Sequence, residues 1–221
     1  MLTASDKSVN NKLGLNAQIF KFIIAIFYLV GIIGMAIPAV RPYFQMLTPF
    51  HLILSTVILL LFHKEWSSNF FLFSALAFLI GFGAEVVGVQ TGLIFGDYTY
   101  GTVLGPKVLG VPLMIGVNWF LLVYVTGALF IKYISNDILA AAMAAIIMVF
   151  LDFLIEPVAI ALDFWTWHSD GIPLSNYIGW FAVAFLIQII YRKIPFTKSN
   201  PIAVFLLICL VVFFGILAVV L

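Results

Sequence analysis

A polytopic all-helical membrane bundle of about seven transmembrane helices is the fold this sequence predicts, on three observations. Of 221 residues, 65% are hydrophobic and only 9% are charged. Mean hydropathy is +1.24. The apolar residues gather in long uninterrupted runs, each reaching or approaching the ~20 residues that a helix needs to cross a bilayer. A net charge of +1 and the lack of any basic run exclude a nucleic-acid partner. The single cysteine, Cys209, lies in an apolar stretch and has no internal disulfide partner.

Residues 1–18, MLTASDKSVNNKLGLNAQ, read as a flexible polar N-terminus, and 19–221 as a single transmembrane domain. The apolar run that follows is too long for a removed signal peptide and lacks its small-residue cleavage site, so it is read as a retained first span. The spans are predicted at about 19–40, 46–63, 67–93, 112–132, 137–162, 176–191 and 200–221, the sixth being the shortest. With the N-terminus in the cytoplasm, Lys7, Lys12, Lys21, Lys64, Lys132, Arg192, Lys193 and Lys198 fall on that side and only Arg41 and Lys107 on the other. This asymmetry orients a multi-pass protein of the cell membrane. Glu85, the acids of the fifth span and the two longest loops then lie toward the non-cytoplasmic side.

The first two spans, with Gly31, Gly34 and Pro38 and then the run ILSTVILLLF, read as scaffold. His51 near a helix end reads as an interfacial or hydrogen-bonded residue, and His63 with Lys64 and Glu65 as a solvated loop. The third span sets Gly81, Glu85, Gly88 and Gly92 near one face, where small residues let helices approach closely. Glycine packing leaves Glu85 unexplained, since a carboxylate in the bilayer interior needs a polar partner or a function. The next loop, FGDYTYGTVLGPKVLGVP, reads as a folded lid, with Asp97, beside Tyr98 and Tyr100, either at a site or at the interface. The fourth span brings Asn118 and Trp119, the latter an interfacial anchor or part of a pocket wall.

The fifth span and its sequel, DILAAAMAAIIMVFLDFLIEPVAIALDFWTWHSDGIPLSNYIGW, carry the strongest signal. Asp152, Glu156 and Asp163 stand at i, i+4 and i+11 and so share a helical face. Each ionised carboxylate costs roughly 2.5–3.5 kcal/mol near the bilayer centre, so this face should line a site. Pro157 is expected to kink or break the helix. Trp165, Trp167, Tyr177 and Trp180 form an aromatic cluster, read as an interfacial belt or a pocket wall. The last span, AVFLLICLVVFFGILAVVL, has no charge and is expected to face lipid and carry no chemistry.

Three scattered histidines cannot supply the His-rich boxes of a di-iron desaturase. Asp152, Glu156 and Asp163 would bind Mg²⁺ for prenyl transfer, but Lys107 is almost the only cation on their side, which makes that a weak alternative. What remains is acid chemistry without a cofactor or metal. A carboxyl group removed from water and set beside other acids keeps its proton and serves as a general acid toward an alkene. Aromatic faces stabilise the resulting cation by roughly 0.5–2 kcal/mol each. On this reading Glu85, Asp152 and Glu156 are the acid and water-positioning set, supported by Asp97 and Asp163. A proton-coupled transporter or a lipid-binding protein would use buried acids as well.

Glu85, Gly88, Thr91 and Gly92, the run Phe95–Gly96–Asp97–Tyr98, Leu104–Gly105–Pro106, Gly110–Val111–Pro112, Asp152, Glu156–Pro157, Trp165, Trp167, Gly171–Ile172–Pro173 and Gly179–Trp180 also carry a resemblance. Over roughly residues 75–185 the chain resembles the membrane carotenoid biosynthesis proteins, the group that includes carotenoid hydratases. The resemblance implies that water is added across the terminal double bond of an acyclic carotenoid end to give a tertiary alcohol. The partners it implies are an acyclic carotenoid, water, the bilayer and other enzymes of the carotenoid pathway. Asp97, Tyr98, Asn118, Trp119, Asp163, Trp165, Trp167, Asn176 and Trp180 are the residues expected to bind the polyene.

Overall fold

The computed structural model describes residues 14–221. Lys7, Lys12 and most of the polar N-terminus fall outside them. Seven helices run in sequence: α1 (Ala17–Ala36), α2 (Arg41–Leu61), α3 (Ser68–Thr91), α4 (Leu113–Phe130), α5 (Asp137–Ala161), α6 (Leu174–Lys193) and α7 (Ala203–Val220). All seven are long and apolar enough to cross a membrane. The chain is therefore the multi-pass helical protein that its hydropathy predicts.

Local chemistry starts and stops these helices. The side chains of Asn16, Ser67 and Asn136 accept hydrogen bonds from Gln18, Phe70 and Leu139 backbone N–H groups at the N-termini of α1, α3 and α5. Gly92, at φ +69°, closes α3 in the left-handed conformation. Helix α2 begins at Arg41, five residues before the expected start. Pro42 is favourable in a first turn, and the Arg41 guanidinium donates to the carbonyls of Met35 and Ala36 at the end of α1. The sixth helix is 20 residues long and not the shortest, because Leu174 and Ser175 at its start and Arg192 and Lys193 at its end extend it; α4 and α7 have 18 each. Helix α5 continues unbroken through Pro157. That residue faces outward, and its missing N–H forfeits one helical hydrogen bond.

Helix α4 is the post around which the others stand, packing against α2, α3, α5, α6 and α7. Residues 119–127 are buried without interruption, as suits a helix that is apolar on all sides. Helices α5 and α6 form the most extensive pair, and α1 closes against α2 and α7. At the end holding Arg192, Asp137 pairs with the guanidinium at 2.8 Å and with Lys193 at 2.9 Å. His63, expected in a solvated loop, is buried at this end. Its Nδ1 meets the Tyr124 hydroxyl at 2.9 Å, its Nε2 meets the Glu65 carbonyl at 2.6 Å, and its ring stacks on Phe70.

The opposite end carries two short ladders. Strand β1 (Tyr98–Tyr100) pairs antiparallel with β4 (Trp165–Trp167), so that Tyr98 faces Trp167 and Tyr100 faces Trp165. Strands β2 (Lys107–Val108) and β3 (Val111–Pro112) form a small hairpin. The α3–α4 loop is thus folded, as expected, and is tied to the α5–α6 loop. Gly101 N–H donates to the Phe164 carbonyl at 2.9 Å, and His168 N–H to the Asp97 carbonyl at 2.9 Å. Gln45 on α2 donates to the Leu162 carbonyl, adding a third helix to the assembly.

Candidate active site

Beneath these ladders the bundle encloses a cavity of about 400 Å³, lined by residues of all seven helices and both long loops. Its walls are predominantly apolar and aromatic. Its two acids and their hydrogen-bond donors converge at the loop end, while Thr48 and His51 of α2 lie deeper in the wall.

Glu85 projects from α3, six residues from its end and so about 9 Å down the helix axis. Its Oε2 accepts from the Tyr98 hydroxyl at 2.5 Å and the Tyr100 hydroxyl at 2.8 Å, and its Oε1 accepts from Trp119 Nε1 at 3.1 Å. The alternation of β1 produces this pairing, because residues 98 and 100 point to the same side. Burial and the neighbouring Glu85 push both tyrosine hydroxyls well above their ordinary range, so they remain donors. Tyr100, which the sequence sets beside Asp97 but which is not among the residues expected to bind the polyene, is thus a second donor to Glu85. The matching pattern WTW in β4 sets two indoles on one side in the same way.

Glu156 accepts from both of those indoles, Trp165 Nε1 at 3.1 Å and Trp167 Nε1 at 2.8 Å on Oε2. Its Oε1 accepts from Asn176 Nδ2 at 3.2 Å, and the same amide donates to Asp152 Oδ2 at 2.7 Å. Asn176 on α6 therefore bridges two acids one helical turn apart on α5. Asp152 is fully buried and does not border the cavity, and its Oδ1 has no hydrogen-bond partner among the described residues. Among the described residues, no cation lies within ion-pair distance of Glu85, Asp152 or Glu156. Nor do three or more His, Cys, Asp or Glu side chains gather there as a metal site.

Of the other expected site residues, Asn118, Trp119 and Trp180 border the cavity along with Trp165, Trp167 and Asn176. Trp119 is fully buried and stacks on Trp180 with centroids 4.4 Å apart, so it forms a wall and not an interfacial anchor. Asp97 and Asp163 stand elsewhere: both are exposed and neither borders the cavity. Helix α5 ends at Ala161, and Asp163 takes a left-handed conformation (φ 57°), which breaks the helical register that grouped it with Asp152 and Glu156. Tyr177 packs against Phe153, away from the cavity.

Helices α1, α2 and α7, read from sequence as scaffold and lipid-facing cover, supply much of the remaining wall through Tyr28, Met35, Thr48, His51, Leu210 and Phe213. Uniformly apolar sequences give no sign of which face meets a cavity. Phe27 and Val30 of α1 and Leu47 and Phe50 of α2 line this wall and are also exposed on the outside. Phe27 and Phe50 each stand nine residues from the loop end of their helices, about 14 Å down. The cavity thus borders the lipid-facing surface near the middle of the hydrocarbon layer.

Fold and site together define a polytopic helical membrane protein with an apolar, lipid-bordered cavity capped by hydrogen-bonded acids. The chain belongs to the carotenoid biosynthesis protein family, whose model matches residues 23–221. It is also similar to a bisanhydrobacterioruberin hydratase of Haloarcula japonica, with 36% identity over 112 residues, 46% of this chain and 38% of that protein. The chain thus matches well under half the length of that relative. No solved structure matches it.

Proposed function

We propose that the protein is a carotenoid hydratase, adding water across the terminal trisubstituted double bond of an acyclic carotenoid end. The observation that carries this reading is that Glu85 and Glu156 both line the loop end of a predominantly apolar cavity, each held by its own hydrogen-bond donors. A cavity of about 400 Å³ suits one end of a long polyene, and its border with lipid gives a water-insoluble substrate a way in. The family and the name of the partial relative agree with this substrate class.

In the proposed reaction the Asp152–Glu156 pair holds one proton, and Glu156, the member facing the cavity, delivers it to the less substituted alkene carbon. The π pair becomes the new C–H bond and a tertiary cation forms. Indole and phenol faces around it, Trp167 and Tyr98 among them, stabilise the charge by roughly 0.5–2 kcal/mol each. A water held by Glu85 attacks the cation and gives its extra proton to that carboxylate. One water is added, and the proton gained by Glu85 balances the one lost by the pair. Return of that proton through water resets the site. Asp152 acts here through Asn176 and Glu156, as a positioning and proton-holding residue.

A transporter would need a second opening toward the Arg192 end. There the fully buried side chains of Phe70, Phe73, Tyr124 and Tyr191 fill the bundle in a ring-on-ring cluster, which favours the enzyme reading. The test is expression of the full chain in cells that accumulate acyclic carotenoids, followed by mass spectrometry. A product heavier than its precursor by one water is expected. Unchanged carotenoids across several acyclic substrates would count against the hydratase.

A further inference from the structure

We infer that the groove between α2 and α3 holds an acyl chain of an anionic phospholipid from the leaflet at the Arg192 end, with the lipid phosphate at Lys64. These two helices are consecutive and joined by only residues 62–67, yet they scarcely touch along their length, and each packs on α4 instead. The gap between them forms a groove of about 240 Å³ that shares no lining residue with the cavity of the acids. Thr56 and Leu60 of α2 make one wall, Ser74 and Phe78 of α3 the other, and Val117 and Phe120 of α4 the floor. Both hydroxyls are committed, Thr56 to the Leu52 carbonyl at 2.9 Å and Ser74 to the Phe70 carbonyl at 2.8 Å. The walls therefore present hydrocarbon and rings to whatever lies between them.

Dimensions and charge select the occupant. Phe78 and Phe70, at the two ends of the groove, are eight residues apart on α3, so it runs about 12 Å along the helix axis. That is most of the ~15 Å of hydrocarbon in one leaflet. A helix of a second protein, about 10 Å across, is too wide for such a slot, and a polyene that crosses both leaflets would overrun it. At the mouth, Trp66 stands exposed at the depth where membrane tryptophans meet the headgroups. Lys64 stands beside it, exposed and without an ion pair among the described residues. The adjoining Glu65 is turned away, its carboxylate accepting from the Thr197 hydroxyl. Lys64 is thus free to meet a phosphate, which gives an anionic lipid the advantage over a zwitterionic one. The chain has a bearing on the acids as well, since Val117 on the floor adjoins the segment of α4 that sets Trp119 Nε1 against Glu85.

The test needs no turnover and so stands apart from the hydratase reading. Full-length protein stripped of lipid in detergent is titrated with phosphatidylglycerol or with phosphatidylcholine of identical chains, and bound lipid is counted by native mass spectrometry. Wild type is expected to retain one phosphatidylglycerol, with a Kd about fivefold lower than for phosphatidylcholine. Lys64→Gln should bring that ratio near one while a chain still binds. Ser74→Trp, which fills the groove, should abolish retention of either lipid. Leu72→Trp, an enlargement on an exposed face of α3 away from the groove, should leave retention intact. Equal Kd values in wild type, an undiminished ratio in Lys64→Gln or undiminished retention in Ser74→Trp overturns the inference. So does displacement of the lipid by an acyclic polyene, which assigns the groove to the substrate, or a dimer that Ser74→Trp dissolves, which assigns it to a second copy. If Ser74→Trp does not fold, the wild-type ratio and its collapse in Lys64→Gln decide the matter.

Discussion

Asp152 Oδ1 is a buried carboxyl oxygen that nothing in the surrounding protein addresses, and it sits one turn from an acid whose own oxygens accept three hydrogen bonds. If the pair shares one proton, replacing either member by its amide removes the proton and keeps the shape. Asp152→Asn, Glu156→Gln and Glu85→Gln should each lower turnover by at least about a hundredfold while carotenoid binding, read by tryptophan quenching, persists. Near-normal rates in all three would dismiss the acid set. Tyr98→Phe removes one of three donors to Glu85 and is expected to slow turnover by about tenfold or more, without loss of fold. These acids were legible in the sequence because an ionisable group deep in an apolar run has few innocent explanations. Asp97 and Asp163 stand outside the cavity, and the same rule says less about them, because water already satisfies a carboxylate in a loop or just past a helix end.

The element that assembles the site is the β1–β4 ladder, which carries two tyrosines to Glu85 and two tryptophans to Glu156 in a single register. Gly101 follows directly, and a Cβ placed there would lie 2.0 Å from the Asp163 carbonyl oxygen, a backbone atom that cannot turn aside. Gly101→Ala should therefore push the two loops apart. The expected result is a melting temperature lower by several degrees and turnover reduced about tenfold or more, with helical content unchanged by circular dichroism. Unaltered melting and turnover would mean that the ladder is not what holds the acids in place. Three-residue strands are invisible to hydropathy, and only the twin patterns YTY and WTW disclose them. The helices were the opposite case, since length and composition alone locate them. Their faces were not legible: a bundle in lipid has no polar outside to contrast with its core, so α1, α2 and α7 gave no sign of bordering a cavity.

For the whole molecule, the seven helices place Lys21, Lys64, Lys132, Arg192, Lys193 and Lys198 at one end and, among the described residues, only Arg41 and Lys107 at the other. We propose that the first end is cytoplasmic and that the site lies in the non-cytoplasmic half. Single cysteines at the exposed positions Thr99, Ser135 and Asp170, in a Cys209→Ser background, test this arrangement. A membrane-impermeant thiol reagent added outside intact cells should label positions 99 and 170 and spare 135; the reverse pattern would invert the molecule.

The wall around Phe27, Val30, Leu47 and Phe50 also bears on the order of events when a carotenoid has two identical ends. A hydrocarbon end dissolves at the bilayer centre, but an end that has gained an alcohol is drawn to the headgroup layer, away from that wall. The untreated end must then reach the protein in a separate encounter. On the proposed hydratase function, hydration is therefore expected to be distributive: singly hydrated molecules accumulate and disperse through the membrane before doubly hydrated ones appear, which a time course of product masses checks.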